Sequence, residues 1–455
     1  MVGADGGAGR AVACDARGGA VRAVACDANV RAVRAVAFVT VPARIRVAVA
    51  LAAWALAVVL ASAGASAKTP PGLGAPAAAN PAAPSLGVRA AVLIEASTGQ
   101  QLYGTNADAR LPIASATKLM TALITLHHAR LGQVFAAPVY YLPPQDSQIG
   151  LVPGERMSVH DLLIAMLLPS ADDAAEDLAY NIGQHSVARF LGMMNAEAQA
   201  LGLTHTHYTT PSGLDTPGNY SSAGDLVKLA RYLRRTEPFF KAVVRLPRAT
   251  LQTGDHVRAV TNLDDLVAHY SWINGVKTGH TLEAGYVLVT SGTQGGMTLI
   301  GAVLGAPSEA GRDEASLALL HYGFATFGLR TPVHAGQVLA RPAVTTKPKV
   351  HVSLIAASSY THAFPKSMSV RLRVSAPGQL TGPLPQHAAV GSVEVVAGHQ
   401  VVRRIPLLLA SEVPKAKVSK DARGVILLSV TLSGILVAVG AAIGLTMFWR
   451  EWHRG

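Results

Sequence analysis

The sequence contains very little cysteine. Its 455 residues include two cysteines, Cys14 and Cys26, and both lie within the first thirty positions. If that stretch is removed from the working protein, no thiol remains. The scarcity excludes a disulfide framework, a zinc site built on thiolates and a cysteine nucleophile.

Aromatic and charged residues are also scarce. Aromatic residues make up 5% of the chain and charged residues 15%, whereas half of the residues are hydrophobic. That hydrophobic content excludes disorder over the whole length, and the few aromatics argue against a nucleic-acid binder built on stacking. Lys and Arg outnumber Asp and Glu by 39 to 27. A basic protein of this kind suits an anionic cell-wall or membrane surface, and we expect no nucleic-acid partner.

Residues 1–67 are predicted to be a leader and a signal peptide. The hexapeptide AVACDA occurs at 11–16 and again at 23–28, but two such short copies cannot build a solenoid core. Two arginines then precede an apolar run that ends in small residues at Ala67. A positive region, an apolar core and an A-x-A exit are typical of a secretory signal peptide. An uncleaved anchor is the alternative.

An uncharged stretch near the C-terminus predicts a transmembrane helix. Residues 424–449 contain no charged residue, which is long enough to cross a bilayer with some tilt. The preceding segment, 413–423, is more basic than the short tail that follows the stretch, contrary to the positive-inside rule. We base the predicted orientation of this helix on the signal peptide, because a signal peptide exports the large domain before the C-terminal segment is inserted. We therefore expect a single-pass C-terminal anchor in the cell membrane, with the body on the extracytoplasmic face.

The chain between these ends divides into a linker and an α+β region. Residues 68–86 are rich in Pro and Ala and predict a linker. Residues 87–330 predict an α+β domain, because helical patterns are inserted between strands at its two ends. The predicted strands are Val88–Glu95, Gln100–Tyr103, Gly285–Thr290 and Met297–Leu304. The predicted helices are Leu119–Leu131, Val159–Leu168, Asp173–Ile182, Val187–Leu201, Ala223–Arg235 and Glu314–Phe327.

Residues 331–412 differ in pattern from the region before them. They lack long helical periodicity and carry short β-branched runs separated by Pro and Gly, which predicts a small all-β domain of sandwich or barrel type. Its position before the apolar stretch indicates a spacer. The predicted strands are Val350–Ile355, Ser369–Val374, Gly391–Val396 and Val401–Leu408.

One short motif could supply a nucleophile. The sequence Ser-Ala-Thr-Lys at 115–118 stands directly before a predicted helix, and residues three apart share a helix face. A neutral Lys118 amine could take the proton of Ser115, and burial or a nearby cation can lower the pKa of a lysine enough for this. Alone, the motif is equally typical of a helix N-terminus with a solvated lysine.

Two further motifs follow in the chain. Ser170-Ala171-Asp172 comes after a predicted helix, where a capping serine and an acidic first turn would be ordinary. Lys277-Thr278-Gly279 supplies a positive charge, a hydroxyl and a glycine that lets a substrate approach the backbone. Alone, this tripeptide also fits an exposed strand end.

In their order and spacing, the three motifs resemble the Ser-x-x-Lys, Ser-Asp-Asn and Lys-Thr-Gly set of penicillin-binding proteins and class A β-lactamases. The flanking sequences at 112–121, 210–215 and 275–281 resemble the low-molecular-mass D-alanyl-D-alanine carboxypeptidases, which are serine peptidases of the Ser-x-x-Lys type. The resemblance runs from about Val88 to Val413. It implies a β-lactamase/transpeptidase-like catalytic domain with a sheet and a helical cluster, then a small all-β domain and a C-terminal membrane anchor.

This resemblance implies a reaction and the residues that perform it. The enzyme would remove the terminal D-Ala from peptidoglycan stem pentapeptides through an acyl-enzyme on Ser115. Lys118 would be the general base, and Ser170 would pass a proton towards the leaving D-Ala. Lys277 would stabilise charge and hold Ser170. β-Lactams would acylate the same serine.

The resemblance also implies a set of binding residues. The backbone N–H groups of Ser115 and His280 would form the oxyanion hole. Thr278, next to Gly279, would contact the substrate carboxylate, and Arg312 resembles a family arginine near that carboxylate.

One position departs from the family pattern. The family usually has asparagine where Asp172 stands. A carboxylate near Lys118 would favour the protonated amine and oppose its role as a base. Asp172 is then protonated, or points away, or activity is reduced. Asp173 matches the family's own aspartate, which argues against a register error.

Alternative functions remain open beside the carboxypeptidase. A D,D-endopeptidase or a β-lactamase would use the same serine chemistry, although no motif for a glutamate-positioned water is evident between Ser170 and Lys277. A weakly active wall-binding homologue would follow from Asp172. The histidines at 127–128, 205 and 207 lack an acidic partner at a zinc spacing, so we expect no metal and no cofactor.

Overall fold

The computed structural model describes residues 81–415, except 142, 144 and 145, together with residues 435–443 and 445. The predicted leader and signal peptide, residues 1–67, lie outside the described residues. So does most of the predicted linker, of which residues 81–86 form neither helix nor strand. All described residues belong to one compact unit, Ala75–Gly455.

A five-stranded antiparallel sheet lies at the centre of residues 87–330. Its strand order is β2-β1-β9-β8-β7, so β7 is an edge strand. Two small hairpins, β3-β4 and β5-β6, lie outside it. The strands are β1 (Ala90–Glu95), β2 (Gln101–Thr105), β3 (Val134–Ala136), β4 (Arg156–Ser158), β5 (Arg248–Leu251), β6 (Arg258–Thr261), β7 (Ile273–Thr281), β8 (Gly285–Gln294) and β9 (Met297–Ala306).

The first strand explains why the sheet needs cover on both faces. Every residue of β1 is buried. Ala90 and Val92 point into one apolar cluster, and Ala91 and Leu93 point into a second one. Successive side chains of a strand alternate between faces, so a strand whose first five residues are all apolar requires cover on both sides. The predicted buried strand is confirmed.

Helices provide that cover. The larger cluster lies between one face of the sheet and α1 to α6, and α8 packs on the other face. The helices are α1 (Lys118–His128), α2 (Val159–Leu167), α3 (Asp172–Ile182), α4 (Val187–Ala200), α5 (Ala223–Thr236), α6 (Pro238–Val243), α7 (Leu266–His269) and α8 (Glu309–Thr326). The predicted α+β architecture is confirmed.

The helix predicted at Glu314–Phe327 begins five residues earlier than expected, at Glu309. Ser308 caps it, because its hydroxyl oxygen accepts a hydrogen bond of 3.0 Å from the backbone N–H of Gly311. A capping serine satisfies one of the free N–H groups at a helix start. Apolar periodicity alone missed this start, since the first turn is polar.

The chain after α8 is built from strands. A five-stranded sheet has the order β11-β14-β19-β18-β16, beside a three-stranded sheet β13-β12-β17 and the pair β10-β15. One apolar cluster lies among them. The strands are β10 (Phe327–Val333), β11 (Val338–Ala340), β12 (Ala343–Val344), β13 (Lys347–His351), β14 (Leu354–Ala356), β15 (Tyr360–Pro365), β16 (Val370–Ser375), β17 (Gln379–Leu380), β18 (Ala389–Ala397) and β19 (Gln400–Leu409).

The prediction of a single strand at Val350–Ile355 was wrong. The chain divides there between β13 and β14. The backbone N–H of Val352 donates to the carbonyl of Pro342, and the carbonyl of Ser353 accepts from Ala410. The β-branched run is therefore divided, because β13 pairs in the three-stranded sheet and β14 pairs in the five-stranded sheet.

Most of the predicted transmembrane segment, 424–449, lies outside the described residues. Its described part, residues 435–443 and 445, is helical. Within the described part of the chain, no helix is both long enough and apolar enough to cross a membrane.

Candidate active site

Ser115 lies on a short 3₁₀ turn that leads directly into α1. The turn spans Ala114–Thr117, and Lys118 is the first residue of the helix. The continuous helical path places the two side chains on one face, and the Lys118 Nζ lies 2.8 Å from the Ser115 Oγ. Ala114 has a φ of +47°, a conformation that costs a non-glycine residue about 1–3 kcal/mol. Backbone strain therefore lies next to the nucleophile.

The Lys118 amine is fully buried and makes three hydrogen bonds. Besides the serine hydroxyl, its Nζ lies 2.5 Å from the Asp172 Oδ1 and 2.7 Å from the backbone carbonyl of Ser212. Burial lowers the pKa of Lys118 below its usual value, although Asp172 acts in the opposite direction. Burial disfavours the charged form of an amine, so the site promotes the neutral lysine that a base requires.

Asp172 does not point away from the base. The residue is 3% exposed, and its carboxylate forms an ion pair with Lys118. The contact joins residues 54 positions apart, because the start of α3 lies beside the start of α1. One of the three consequences considered for this aspartate is thereby excluded.

The serine of the second motif lies in the turn before α3. Ser170 is 3% exposed and has a φ of +65°, the second strained non-glycine position at the site. The neighbouring Asp173 holds the adjacent loop, since its carboxylate accepts hydrogen bonds of 2.9–3.2 Å from the backbone N–H groups of residues 149–151. That carboxylate fixes the position of the turn.

The third motif lies on the edge strand β7. Lys277 is 1% exposed and Thr278 is 5% exposed, so the motif is not the exposed strand end that a lone tripeptide would allow. Burial, together with the positive charge of Lys118, lowers the pKa of Lys277 well below its usual value. Among the described residues its amine donates to the carbonyl of Thr278 at 3.0 Å and makes no hydrogen bond to Ser170.

Gly279 brings the edge strand against the nucleophile's turn. A Cβ atom at this position would lie 3.0 Å from the backbone nitrogen of Ser115 and 3.1 Å from the carbonyl oxygen of Ile113. Contacts this short force a neighbour to move, so the glycine permits close approach of backbone to backbone. Its close neighbour is the 3₁₀ turn rather than open space for a substrate.

These elements enclose a cleft of about 550 Å³. It brings together six of the sequence-predicted residues, while the amines of Lys118 and Lys277 lie buried beneath its floor. The six are Ser115, Ser170, Asp172, Thr278, His280 and Arg312. Tyr286 also lines the cleft, and the centroids of its ring and the His280 ring lie 4.0 Å apart.

Arg312 is buried in the cleft wall and already has two carboxylate partners. Its guanidinium lies 3.1 Å from Glu309 and 2.9 Å from Asp313. Its side chain is 3% exposed. An incoming carboxylate would share this guanidinium with the two acids.

Sequence reasoning missed the part played by the segment around residue 212. The Ser212 carbonyl is a direct partner of Lys118. At Gly213 the φ is +92°, and a Cβ atom there would lie 2.0 Å from the carbonyl oxygen of Ala114. Only glycine fits such a position. The sequence 210–215 belongs to the family pattern, but nothing in it indicates these contacts.

Glu176 is a second missed residue. It lies one helical turn after Asp172 on α3, and its carboxylate accepts a hydrogen bond of 3.4 Å from the Ser212 hydroxyl. Burial raises the pKa of Glu176 to about 7, an effect that its hydrogen bond and Lys118 oppose. Two carboxyl groups therefore flank the buried amine.

The histidines do not form a metal site in the described part of the chain. No group of three or more potential ligands is present there. His127 lies 3.6 Å from Glu237, and His205 lies 3.7 Å from Asp108.

Comparison with known proteins gives a consistent result. A family model described as D-alanyl-D-alanine carboxypeptidase matches residues 77–308. The chain is similar to the D-alanyl-D-alanine carboxypeptidase DacC of Escherichia coli, with 31% identity over 345 residues that cover 73% of this chain and 85% of the relative. The D-alanyl-D-alanine carboxypeptidase of Streptomyces sp. K15 is 33% identical over 270 residues, which cover 56% of this chain and 92% of that relative.

Solved structures match the fold as well. Penicillin-binding protein 5 from Haemophilus influenzae has a TM-score of 0.60 and 28% identity, covering 73% of this chain and 99% of that one. DacD from Francisella tularensis has a TM-score of 0.61, 24% identity and coverage of 74% and 96%, and it shows the fold alone. Because the family model spans all three motifs and both buried lysines, the chain belongs to the D-alanyl-D-alanine carboxypeptidase family and is a serine-type hydrolase.

Proposed function

We propose that this enzyme removes the terminal D-Ala from peptidoglycan stem pentapeptides through an acyl-enzyme on Ser115. The observation that carries the proposal is the buried Lys118 amine, 2.8 Å from the serine hydroxyl. A hydroxyl is a weak nucleophile until an adjacent base takes its proton. The proposed steps use side chains and backbone groups of the chain itself.

The hydrogen bonds of Lys118 indicate how it can act as the base. A charged amine has three N–H groups and would donate to Ser115, Asp172 and the Ser212 carbonyl at once. A neutral amine donates to the last two only, and its lone pair then faces the serine hydroxyl. The same three partners thus serve both states, because Ser115 accepts from the charged amine and donates to the neutral one, and its proton can move to Nζ without rearrangement of these groups.

Asp172 takes part in this transfer as a hydrogen-bond acceptor for the amine. The Nζ–Oδ1 separation of 2.5 Å is short for a hydrogen bond between charged groups. We propose that the carboxylate accepts a hydrogen bond from Nζ in both protonation states of the amine, which directs the lone pair of the neutral amine towards the serine, while its charge raises the pKa of Lys118. The asparagine usual in the family would supply an uncharged oxygen acceptor in its place.

The leaving group needs a proton, which Ser170 would deliver. Its hydroxyl lines the cleft beside Ser115 and Thr278. When substrate fills the cleft, Lys277 would hold Ser170 and stabilise developing charge. In the free enzyme its amine donates to a backbone carbonyl instead.

Backbone groups would stabilise the tetrahedral intermediate. The N–H groups of Ser115 and His280 are proposed to form the oxyanion hole, which is supported by the close packing of β7 on the 3₁₀ turn at Gly279. Removing one donor of such a hole typically costs about 10²–10³ in rate. Thr278 and Arg312 would bind the terminal carboxylate, and water would then hydrolyse the acyl-enzyme.

β-Lactams are proposed to acylate Ser115 by the same route, since their amide carbonyl would occupy the same hole. A wall-binding protein without activity would not need a buried base aligned with a hydroxyl. A β-lactamase or a D,D-endopeptidase of the same fold would differ in the fate of the acyl-enzyme and in the bond that is cut.

We also propose an exported enzyme with a C-terminal anchor. Residues 1–67 would be removed or act as a leader, 68–86 would be a linker, 87–330 the catalytic domain and 331–412 a spacer. The basic segment 413–423 would lie against anionic headgroups and the apolar run 424–449 would cross the membrane. The charge-free composition of this run supports the anchor.

The test is release of free D-Ala from a synthetic pentapeptide together with labelling by a fluorescent penicillin. We expect both signals from the parent protein and neither from Ser115→Ala. The matched control is Ser375→Ala, an exposed serine of β16, which should retain both. Release of D-Ala by the Ser115→Ala protein would refute the assignment. Rapid penicillin turnover would indicate a β-lactamase, and cleavage of cross-linked dimers alone an endopeptidase.

A further inference from the structure

A second charged region lies at the C-terminal end of α5. Between Lys228 and Arg248 the chain carries seven lysines and arginines and one acidic residue, Glu237. The segment runs from α5 through the short helix α6 to the first residue of β5. The region has no role in the chemistry of Ser115.

Four of these cations line a groove of about 640 Å³. Asn274, at the start of β7, and residues of the β8–β9 hairpin form its opposite wall. None of its lining residues lines the catalytic cleft. The four cations are Arg231, Arg234, Arg235 and Lys241. We refer to this feature as the basic groove.

The cations of the basic groove have no carboxylate partner within 4 Å among the described residues. Arg231 donates to the carbonyl oxygens of Ala96 and Ser97, and Arg234 donates to that of Asn274. For Arg235 and Lys241 the described residues supply no hydrogen-bond partner and no ion pair. Carbonyl oxygens orient a guanidinium but do not neutralise it.

Two acidic residues lie near the groove, and both are already engaged. Glu95 lines it but is 1% exposed, and its carboxylate accepts hydrogen bonds from Ser97 and Thr98. Glu237 lies 3.6 Å from the His127 ring. Neither balances the charge of the four cations.

Arg234 indicates how unfavourable this arrangement is without an anion. Partial burial and the nearby Arg245 lower the pKa of Arg234 to about 10. Arginines near the end of a helix are ordinary, because they interact favourably with its dipole. That explanation covers Arg234 and Arg235 at the end of α5 and Lys241 in the last turn of α6, but not Arg231, which lies before the last turn of α5.

We propose that the basic groove binds a phosphodiester polymer of the cell envelope. A guanidinium presents paired N–H groups that match a phosphate in bidentate fashion. The cations continue outside the groove to Arg245 and Arg248, which suits an extended chain of phosphates rather than one small anion. Binding there would hold the enzyme on the polymer and leave the catalytic cleft open.

The surroundings of the basic groove favour a polymer over a lipid surface. The exposed residues between its cations include Thr236, Pro238 and Ala242, and Leu246, at 38% exposed, is the one large exposed aliphatic residue of the segment. Insertion into a bilayer surface relies on bulky apolar and aromatic side chains next to the basic ones. This segment presents its positive charge largely without them.

The test measures binding of a fluorescent glycerol phosphate hexamer to the full chain. The variant is Arg235→Gln/Lys241→Gln, because both side chains are exposed and unpaired and their loss should not affect folding. The control is Lys347→Gln/Lys349→Gln, which removes the same charge from exposed positions of β13. We expect the groove variant to bind at least tenfold more weakly and the control to stay within twofold of the parent.

Hydrolysis of a soluble pentapeptide should be unchanged in both variants. Several outcomes would overturn the proposal. The first two are no binding of the hexamer by the parent and equal weakening of binding in the control variant. The third is equal affinity for a glutamate hexamer, which would mean nonspecific attraction. The fourth is binding only to vesicles that contain phosphatidylglycerol. Because peptide hydrolysis is measured separately, failure of this proposal is distinguishable from failure of the proposed enzymatic function.

Discussion

The two sides of the catalytic cleft each bury a lysine, but they provide different partners. On the α1 side, Lys118 is 0% exposed and contacts a hydroxyl, a carboxylate and a carbonyl. On the β7 side, Lys277 is 1% exposed and donates to one carbonyl. Burial lowers the pKa of both amines.

The difference indicates a division of roles between the two amines. A buried amine retains its proton only where its neighbours stabilise the charge. Lys118 has a carboxylate and a carbonyl that orient its amine towards the serine hydroxyl, which suits a base. Lys277 has no carboxylate in contact among the described residues, which suits the proposed role of stabilising charge that develops during the reaction. The comparison predicts that the two lysines respond differently to substitution and to pH.

The largest effect is expected from replacing each lysine by glutamine. Lys118→Gln should lower the acylation rate by about 10²–10⁴-fold, the usual contribution of a general base, and should abolish the rise of the rate with pH that deprotonation of Lys118 produces. Lys277→Gln should also slow acylation but retain that rise. The measurement is the rate of penicillin labelling between pH 5 and 9.

Thermal unfolding of each variant checks that it is folded. Lys347→Gln, which changes an exposed lysine, is the matched control variant. Identical pH profiles for the two cleft variants would contradict the division of roles.

A smaller effect is expected at Asp172. Because its carboxylate raises the pKa of Lys118, Asp172→Asn should move the rising part of the pH profile to lower pH. Acylation near neutral pH should then equal that of the parent or exceed it by up to about tenfold, the effect of one pKa unit. Asp265→Asn, at an exposed position, is the control. A large loss of acylation would show that the carboxylate is needed.

The smallest effect is expected from Glu176→Gln, and it concerns stability. The pKa of Glu176 is raised to about 7 in the folded protein, so between about pH 4.5 and 7 the folded state binds more protons at this site than the unfolded state. Stability from this group is therefore present at low pH and lost as the pH rises through 7. The parent should lose up to about 1 kcal/mol per pH unit relative to the variant.

Denaturant unfolding of both proteins at pH 5, 6 and 7 measures this difference. Parallel pH dependence of the two proteins would mean that Glu176 titrates normally.

Contacts between residues close together in the sequence could be predicted from the sequence alone. Ser115 and Lys118 lie three residues apart, so helix geometry alone brings them together. The burial of β1 side chains on both faces of the sheet follows from the apolar composition of that strand. The contact of Lys118 with Asp172 joins residues 54 positions apart, and the contact with Ser212 joins residues 94 apart. Such pairs depend on how helices pack, which no local pattern encodes.

The fold was predicted more completely than its details. The helices and the central sheet follow from periodicity, but the start of α8 depends on the cap at Ser308. The split between β13 and β14 depends on partners in other sheets. The role of Gly213 depends on a carbonyl from a turn about one hundred residues earlier.

That last contact has a consequence for biogenesis. The turn carrying the catalytic hydroxyl is wedged between Gly213 and Gly279, both of which leave the ribosome well after it does. A nascent or translocating polypeptide therefore holds an ordinary, unreactive serine. The arrangement around the hydroxyl is complete only once these later segments have packed against the turn.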